Sequence, residues 1–331
     1  MDRLRTGKSL RVAVLLGGNS PEREVSLASG ICVASALELA GHHPRAVDPA
    51  EVDLVDIDWR QFDACFVALH GGAGEDGRVQ RELDALNVPY TGCGPAASAL
   101  AMCKSAAKQR WLEVGILTPD FVLAHAVEPM HVITDRARSL RYPLVVKPDS
   151  LGSSLGVQIV RNEDQLHNAF AECQLYDPCV IAERYIDGRE FTVALIESRP
   201  LPLIEIITAG QVFTYQAKYH TTPNSPETDS PENDPPITRS FPAELTSRQI
   251  DRLEQTAVAA AEAIGTTGLV RVDLMLSSAD EADEVFVLEI NTSPGMTQQS
   301  LAPQAAFQDD IDMPTLCDYL VRQCLAQEVL R

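Results

Sequence analysis

The sequence has few basic residues and no long apolar run. Its 331 residues include 27 Lys and Arg against 47 Asp and Glu, which gives a formal net charge of −20. So acidic a chain lacks the basic face that nucleic acid binding requires, and no nucleic acid partner is expected. No stretch reaches the roughly 18 consecutive apolar residues of a membrane-spanning helix, so no membrane partner is expected either. A dehydrogenase is excluded too, because no G-x-G-x-x-G follows the first predicted strand.

Cysteine spacing gives no sign of a metal or redox motif. The eight cysteines form no C-x-x-C pair, and most of them lie inside apolar runs. This usage is typical of small core residues in a reduced, cytoplasmic protein. The apolar run that begins at residue 11 continues into Gly-Gly-Asn-Ser-Pro without a cleavage-like site, so we expect a first strand there and not a signal peptide.

Strands and helices alternate through the first hundred residues. Apolar strands are predicted at 11–18 and 62–71, and segments with helical spacing at 24–40 and 77–87. This alternation predicts a parallel sheet with both faces covered. Ligands of such sheets lie beyond the carboxyl ends of the strands, which is where GGNSPERE and HGGAGEDG fall.

After a helical stretch at 95–115, short paired strands replace the alternation. The later predicted elements are strands at 142–148, 156–160, 178–186, 190–197, 268–277 and 284–293, and helices at 162–176 and 244–265. Residues 220–237 hold five prolines and four acids, a composition typical of a mobile surface loop that acts as a lid or linker. The predicted fold class is therefore α/β, with an N-terminal parallel-sheet (Rossmann-like) domain followed by α+β structure.

One glycine- and serine-rich segment, VVKPDSLGSSLGVQIV, places Lys147 at the end of a strand. Small residues let backbone N–H groups approach an anion, and the lysine adds a positive charge beside them. The segment is not the G-x-x-x-x-G-K-[ST] loop, because it leads into a strand instead of a helix. From the residues alone, a phosphate site and a plain β-hairpin are equally supported.

Polar side chains lie two apart on each of the last two predicted strands. Arg271 and Asp273 share one strand face, as do Glu289 and Asn291 in VLEINTSPGM. If these strands form an antiparallel hairpin, their oxygen atoms converge as a set that suits Mg²⁺. The alternative is a structural ion pair in which Arg271 neutralises the acids. Three oxygen-bearing groups against one arginine favour the metal.

The remaining polar residues carry little information singly. His70 and Glu75 lie in a turn that its glycines explain sterically, and Glu22 is an ordinary acid just before a helix. Lys104 is a typical solvated helix lysine. A Lys-Tyr pair stands where a strand enters the 220–237 loop, a natural position for a lid to carry a phosphate-binding lysine.

Taken in order, these motifs resemble those of the D-alanine–D-alanine ligases, members of the ATP-grasp superfamily. The resemblance runs from VAVLLGGNSPEREVSLASG through LHGGAGEDG, PYTG, VVKPDSLGSSLGV, EFTVA, QAKY and RVDLML to LEINTSPGMTQQSL. It implies an enzyme that joins two molecules of D-alanine at the expense of ATP, through a D-alanyl phosphate intermediate. It further implies a cytoplasmic homodimer that serves peptidoglycan synthesis and cell shape.

The resemblance also implies a domain plan and a nucleotide site. A substrate-binding domain would span 1–104, a central ATP-grasp subdomain 105–189, and a catalytic ATP-grasp domain 190–331 with a lid loop at 219–237. The phosphates of ATP would contact Lys104, Lys147, Lys218, Ser153 and Ser154, and its adenine and ribose would contact Glu183 and Glu190. Two Mg²⁺ or Mn²⁺ ions would be held by Asp273, Glu289 and Asn291.

For the substrates, the resemblance implies three groups of contacts. The ammonium of the first D-alanine would lie at Glu22 with His70 nearby, and the second carboxylate at Ser300 and Leu301. Arg271 and the N–H of Gly295 would stabilise the tetrahedral oxyanion. A hydrogen-bonded trio would link Glu22, Ser153 and Tyr219.

Two departures and two rivals qualify this assignment. Arg184 stands where the family often has Lys, and the loop 220–237 is longer, richer in proline and more acidic than is usual. The rival enzyme joins D-alanine to D-lactate or D-serine, but Tyr219 is the residue that accompanies D-alanine as second substrate. The rival from another class is a silent nucleotide-binding protein, which the presence of every predicted lysine and metal ligand argues against.

Overall fold

The computed structural model describes residues 8–152, 156–208, 237–240, 244–278 and 283–328. Its described part is mixed α/β, with a parallel sheet followed by two antiparallel sheets. None of the helices in these ranges combines the length and hydropathy needed to cross a bilayer.

The N-terminal elements form the parallel sheet and its cover. They are β1 (Arg11–Leu15), α1 (Arg23–Leu39), β2 (His43–Val47), β3 (Ala64–Val67), α2 (Arg78–Ala85), α3 (Pro95–Met102) and α4 (Lys104–Glu113). The strand order is β2-β1-β3, with both pairs parallel, as the alternating pattern predicts. Apolar side chains of β1 are buried on both faces of the sheet, in two separate hydrophobic clusters. The loops after β1 and β3 therefore open at the same sheet edge.

A second sheet follows. It is built from β4 (Phe121–His125), α5 (Met130–Arg138), β5 (Leu144–Pro148), β6 (Gln158–Val160), α6 (Glu163–Cys173) and β7 (Cys179–Arg184). The strands run antiparallel in the order β4-β7-β5-β6. The predicted helix at 162–176 begins at its Asn162 cap, whose side chain accepts a hydrogen bond from Gln165 N. The glycine-rich connection joins β5 to β6 as a hairpin loop.

The third sheet carries the polar pairs. Its elements are β8 (Gly188–Ile196), β9 (Arg199–Pro200), β10 (Ile204–Thr208), β11 (Ile237–Ser240), α7 (Ser247–Ile264), β12 (Leu269–Ser277), β13 (Val285–Asn291), α8 (Leu301–Gln308) and α9 (Met313–Glu328). The order is β11-β10-β8-β12-β13, with β9 paired to β8. Strands β12 and β13 are antiparallel, as predicted. Helix α7 covers one face, and α9 returns to pack against α1 and the first sheet.

The structure differs from the sequence prediction in several elements. The helical stretch at 95–115 is two helices that break at Cys103. The elements without a predicted counterpart are β2, β4, β9, β10, β11, α5, α8 and α9. All eight cysteines are free thiols, and five of them are buried, as expected for core residues: Cys65, Cys93, Cys173, Cys317 and Cys324. Burial raises the pKa of Cys93 and that of Cys317 to about 12, which keeps both thiols protonated and inert.

Gly30 gives a test of how tightly α1 packs on the sheet. A Cβ at this position would lie 2.4 Å from the Cβ of Leu16, the buried residue that directly follows β1. We expect Gly30→Ala to destabilise the protein by about 1–3 kcal/mol, because overpacking outweighs the gain in helix propensity. Urea unfolding measures the change, with Ser35→Ala on the exposed face of α1 as the matched control. A Gly30→Ala protein as stable as the control would contradict this packing.

Candidate active site

A cleft lies where the three sheets meet. Loops after β1 and β3, the start of α4, the glycine-rich loop and the ends of β12 and β13 all contribute to it. The lining residues are Glu22, His70, Glu75, Ala101, Met102, Lys104, Leu151, Gly152, Arg271, Glu289, Ile290, Asn291, Thr292 and Gly295. Residues from motifs more than two hundred positions apart in sequence thus converge on one cavity.

A β-bulge decides which side chains of β13 face the cleft. Asp273 lies opposite Glu289, but the next residue, Leu274, lies opposite Val287, so Leu288 is an additional residue on β13. Val287 therefore packs in the core under α7, whereas Glu289 points to the other face. Without the bulge, strict alternation would place Glu289 on the same side as Val287, inside the core.

Four polar side chains form two cross-strand pairs on this face. Arg271 lies opposite Asn291, and Asp273 lies opposite Glu289. The Arg271 guanidinium forks onto its strand neighbour, with Nε 2.8 Å from Asp273 Oδ1 and Nη2 2.7 Å from Oδ2. Thr192 Oγ1 also donates to Oδ1, at 2.6 Å. The predicted convergence is present, together with the Arg271–Asp273 ion pair that the sequence offered as the alternative.

Glu289 and Asn291 have fewer contacts with other side chains than Asp273 has. The nearest cation to Glu289 is Lys104, at 3.9 Å from Nζ to Oε2, and its carboxylate accepts no hydrogen bond from the described residues. Asn291 Oδ1 accepts one, from Ser293 N at 2.8 Å. Within the described ranges, no three Asp, Glu, His or Cys side chains cluster closely enough to hold a metal ion by themselves. Any metal here would need the Asn291 amide or a ligand's own oxygens.

Buried lysines lie behind the cleft. Lys147 on β5 donates to Glu183 on β7, with 2.6 Å between Nζ and Oε1. The other carboxylate oxygen lies 2.8 Å from Nζ of Lys108, a fully buried residue of α4. Burial alone would raise the pKa of Glu183, but the charges of Lys108 and Lys147 outweigh it and hold that pKa below its usual range. The motifs identified Lys147 and Glu183 but missed Lys108, although it lies one helical turn after Lys104.

A second residue missed from the sequence is Asp149, which anchors the glycine-rich loop. Its carboxylate caps α4 by accepting from Ser105 N at 2.7 Å and Ser105 Oγ at 2.9 Å, and its carbonyl accepts from Lys104 N. Lys104 Nζ in turn donates to the carbonyl of Leu151. These hydrogen bonds join the glycine-rich loop to the first turn of α4. They fix the position of Lys104 at the cleft.

The N-terminal sheet supplies the acids and the histidine of the cleft. His70 is buried, with Nε2 2.9 Å from Ser29 Oγ and Nδ1 3.5 Å from Glu75 Oε1. Glu75 lines the cleft beside His70, so it is more than the ordinary turn residue that the sequence alone suggested. Glu22 approaches Gly71 so closely that a Cβ there would lie 2.5 Å from Oε2, and Gly152 of the glycine-rich loop faces the same carboxylate.

The remaining predicted residues lie around this cleft or at its edge. Gly295 lines it, and a Cβ on Gly295 would lie 2.7 Å from Ser300 Oγ, which also accepts from Thr297 N. Ser300 occupies the N-cap position of α8 without a capping hydrogen bond from its side chain, and Leu301 begins the helix with its side chain in the core. Glu190 lies on β8, half-buried, opposite Met275 of β12.

Four predicted site residues and one segment fall outside the described residues. They are Ser153, Ser154, Lys218, Tyr219 and the 219–236 part of the lid loop. Arg184, the departure from the family pattern, is partly exposed, and its guanidinium lies 5.6 Å from the centre of the Phe286 ring and 3.7 Å from Asp120.

Comparison with known proteins gives consistent matches along the chain. A family model described as the D-ala D-ala ligase C-terminus matches residues 111–322, and one described as the D-ala D-ala ligase N-terminus matches residues 54–93. A D-alanine–D-alanine ligase of Nitrosomonas europaea is 42% identical, over 89% of this chain and 91% of its own length. The enzyme of that name from Laribacter hongkongensis is 40% identical, over 93% and 94% respectively.

Solved structures agree with this result. A crystal structure of D-alanine–D-alanine ligase from Bacillus anthracis complexed with ATP covers 97% of this chain and 99% of its own, with a TM-score of 0.82 and 29% identity. The ligase from Coxiella burnetii covers 98% and 96%, with a TM-score of 0.80, and at 24% identity it supports the fold alone. The described fold is accordingly that of an ATP-grasp enzyme, and the chain belongs to the D-alanine–D-alanine ligase family.

Proposed function

We propose that this protein joins two molecules of D-alanine into D-alanyl-D-alanine, with cleavage of ATP to ADP and phosphate. One observation carries the proposal: a single cleft is lined by acids from the loops of the N-terminal sheet, by Lys104 of α4, and by Arg271, Glu289 and Asn291 of β12 and β13. Family membership, with two relatives at 40–42% identity over about nine-tenths of the chain, supports it independently. The carboxylate of one D-alanine would attack the γ-phosphate, and the amine of the second would attack the resulting acyl phosphate.

The domain plan is proposed on the same basis. Residues 1–104, 105–189 and 190–331 each contain one sheet of the fold, except that β8 of the third sheet begins at Gly188, and the lid loop 219–237 belongs to the third part. Helix α9 is the exception to a linear arrangement, because it packs on the first sheet from the far end of the chain. A cytoplasmic homodimer is also proposed, on the family resemblance, and sedimentation equilibrium would test its stoichiometry.

Positive charge at the nucleotide end would come from buried lysines. Lys104 and Lys147 are each at least nine-tenths buried, so their ammonium groups are weakly screened and attract phosphate strongly. Lys218, Ser153 and Ser154 would complete the phosphate contacts. Glu183, whose two carboxylate oxygens are held by Lys108 and Lys147, would contact the adenine. Glu190 would contact the ribose.

Asp273, Glu289 and Asn291 fit a pair of Mg²⁺ or Mn²⁺ ions in donor chemistry, since all three offer oxygen and Glu289 accepts no hydrogen bond among the described residues. Such ions, when bound, would neutralise the phosphate charge during transfer. The protein's own contribution is to hold these oxygens on one strand face, with Arg271 fixing the Asp273 carboxylate from the side.

At the substrate end, Glu22 would hold the ammonium of the first D-alanine, with His70 beside it. Arg271 and the N–H of Gly295 would donate to the oxyanion that develops when the second amine attacks. Ser300 and Leu301 would place the carboxylate of the second substrate at the start of α8. The trio of Glu22, Ser153 and Tyr219 would join the substrate loop to the lid.

The test is mass spectrometry of the products formed from ATP, Mg²⁺ and D-alanine, with D-lactate and D-serine in parallel competition. We expect D-alanyl-D-alanine to dominate, with one ADP per dipeptide. A dominant mixed product would show that D-lactate or D-serine, and not D-alanine, is the preferred second substrate. Intact ATP in every mixture would reject the catalytic assignment and leave a silent nucleotide-binding protein.

A further inference from the structure

Lys108 is a buried cation to which none of the proposed contacts gives a role. Its side chain is fully buried, on α4 one turn beyond Lys104, so both lysines lie on the same helix face. The ammonium donates to Thr118 Oγ1 at 2.6 Å and pairs with Glu183 Oε2 at 2.8 Å. Phe121 lies to one side, with its ring centre 6.0 Å away. A lysine without a partner would be costly at this buried position, which explains why Lys108 has partners. It does not explain why a charged residue stands there.

The Thr118 hydroxyl fixes the direction of this contact. It donates its own proton to the carbonyl of Val287, at 2.7 Å, and therefore offers a lone pair to Lys108. Val287 is the residue before the β13 bulge that turns Glu289 toward the cleft. One ammonium thus joins α4, β7 and, through Thr118, the strand that carries the proposed metal ligands.

The cluster also has an uneven charge. Lys108 and Lys147 share the single carboxylate of Glu183, so the buried trio carries one net positive charge. Burial lowers the pKa of both lysines, and Glu183 opposes it in both. For Lys147 the attraction of Glu183 and Glu289 wins and the pKa is raised, whereas for Lys108 burial wins and the pKa falls to about 8. Lys147 therefore holds its proton more firmly.

We propose that Lys108 is a positioning residue for the nucleotide site. By taking one oxygen of Glu183, it lets that carboxylate hold Lys147 in place without cancelling the positive charge that faces the phosphates. Removing Lys108 would leave a neutral Lys147–Glu183 pair, with weaker attraction for a polyphosphate. The proposal rests on the proposed function, because it takes Lys147 and Glu183 to be nucleotide contacts.

A purely structural role makes a different prediction. Replacing one member of a buried ion pair lowers stability whether or not the pair serves a ligand. Such a loss would weaken every binding site in proportion to the folded fraction. A positioning role instead lowers nucleotide affinity in protein that is fully folded and leaves the affinity for D-alanine unchanged.

The experiment compares Lys108→Met, which keeps the side-chain length without the charge, with the parent. Arg110→Met is the matched control, because it removes a cation from the exposed side of the same helix. Isothermal titration with a nonhydrolysable ATP analogue and Mg²⁺ gives Kd, steady-state kinetics give KM for D-alanine, and urea unfolding gives the folded fraction. If Lys108→Met does not fold, Lys108→Gln, which keeps a donor toward Thr118, takes its place.

We expect Kd for the nucleotide analogue to rise at least about tenfold in the Lys108 variant, with D-alanine KM and the Arg110 control unchanged. Adding Glu183→Gln should remove most of this effect, because no carboxylate charge then remains to be shared. An unchanged nucleotide Kd, or equal effects of Lys108→Met with and without Glu183→Gln, overturns the proposal. If the parent protein itself binds no nucleotide, the proposed function fails instead.

Discussion

Replacing Arg271 with methionine is expected to lower kcat by about 10²–10³-fold while KM for ATP changes by less than about threefold. Arg271 is 5% exposed, and its fork on Asp273 aims the guanidinium along the cleft face that also carries Glu289 and Asn291. A donor held this rigidly stabilises charge that develops only in the transition state. Removing Arg271 is therefore expected to lower kcat and to leave substrate binding nearly unchanged.

The control for Arg271 lies in the same sheet. Arg189 of β8 forks onto Glu205 with both nitrogen–oxygen distances at 2.7 Å, so Arg189→Met removes a similarly forked, more exposed ion pair that does not line the cleft. Steady-state kinetics should show kcat near the parent value for this variant. Urea unfolding should show the larger loss of stability, of about 1–3 kcal/mol, for Arg271→Met, because its ion pair is the more deeply buried. Equal losses of activity would mean that Arg271 is only structural.

Elements with strong apolar patterns could be predicted from the sequence. The buried strands β1 and β3 and the helix α1 were found within a few residues, and so was the antiparallel β12–β13 pair. Strand β2 was among the elements that could not be predicted. Strand β2 pairs with β1 on one side only, and its residues His43–Val47 are mostly exposed, so no apolar run marks it.

The break at Cys103 shows a tertiary contact overriding a local pattern. Helical spacing continues through 95–115, and a single helix is the simplest prediction. The chain instead restarts at Lys104, where the distant Asp149 carboxylate accepts the Ser105 N–H and caps the new helix. Nothing in the local sequence announces a cap that lies more than forty residues away.

The position of site residues could be predicted from the sequence where a recognisable motif contains them. The sequence placed Arg271, Asp273, Glu289 and Asn291 on facing strands, and the register brings them together in that arrangement. Which face of β13 they occupy depends on the bulge at Leu288, which alternation cannot show. Lys108 was missed for a related reason, because its partners come from other strands, although its four-residue spacing from Lys104 was a usable signal.

Replacing Gly71 with alanine is expected to raise KM for the first D-alanine at least about tenfold, because the added methyl group displaces Glu22. Gly71 has a φ of +66°, and its Cβ would lie 2.5 Å from Glu22 Oε2. The left-handed backbone alone costs an alanine about 1–2 kcal/mol, so a loss of stability would not by itself reveal the effect on Glu22.

Gly41 separates these two effects. It has a φ of +89° but no atom within 4 Å of its Cβ position, so Gly41→Ala suffers the backbone strain without a clash. Urea unfolding should show comparable destabilisation of the two variants, whereas initial-rate kinetics should show a raised D-alanine KM only for Gly71→Ala. Parallel increases in both would trace the defect to global stability. An unchanged KM in a folded Gly71→Ala protein would instead show that displacing Glu22 does not affect D-alanine binding, and would count against Glu22 as the ammonium contact.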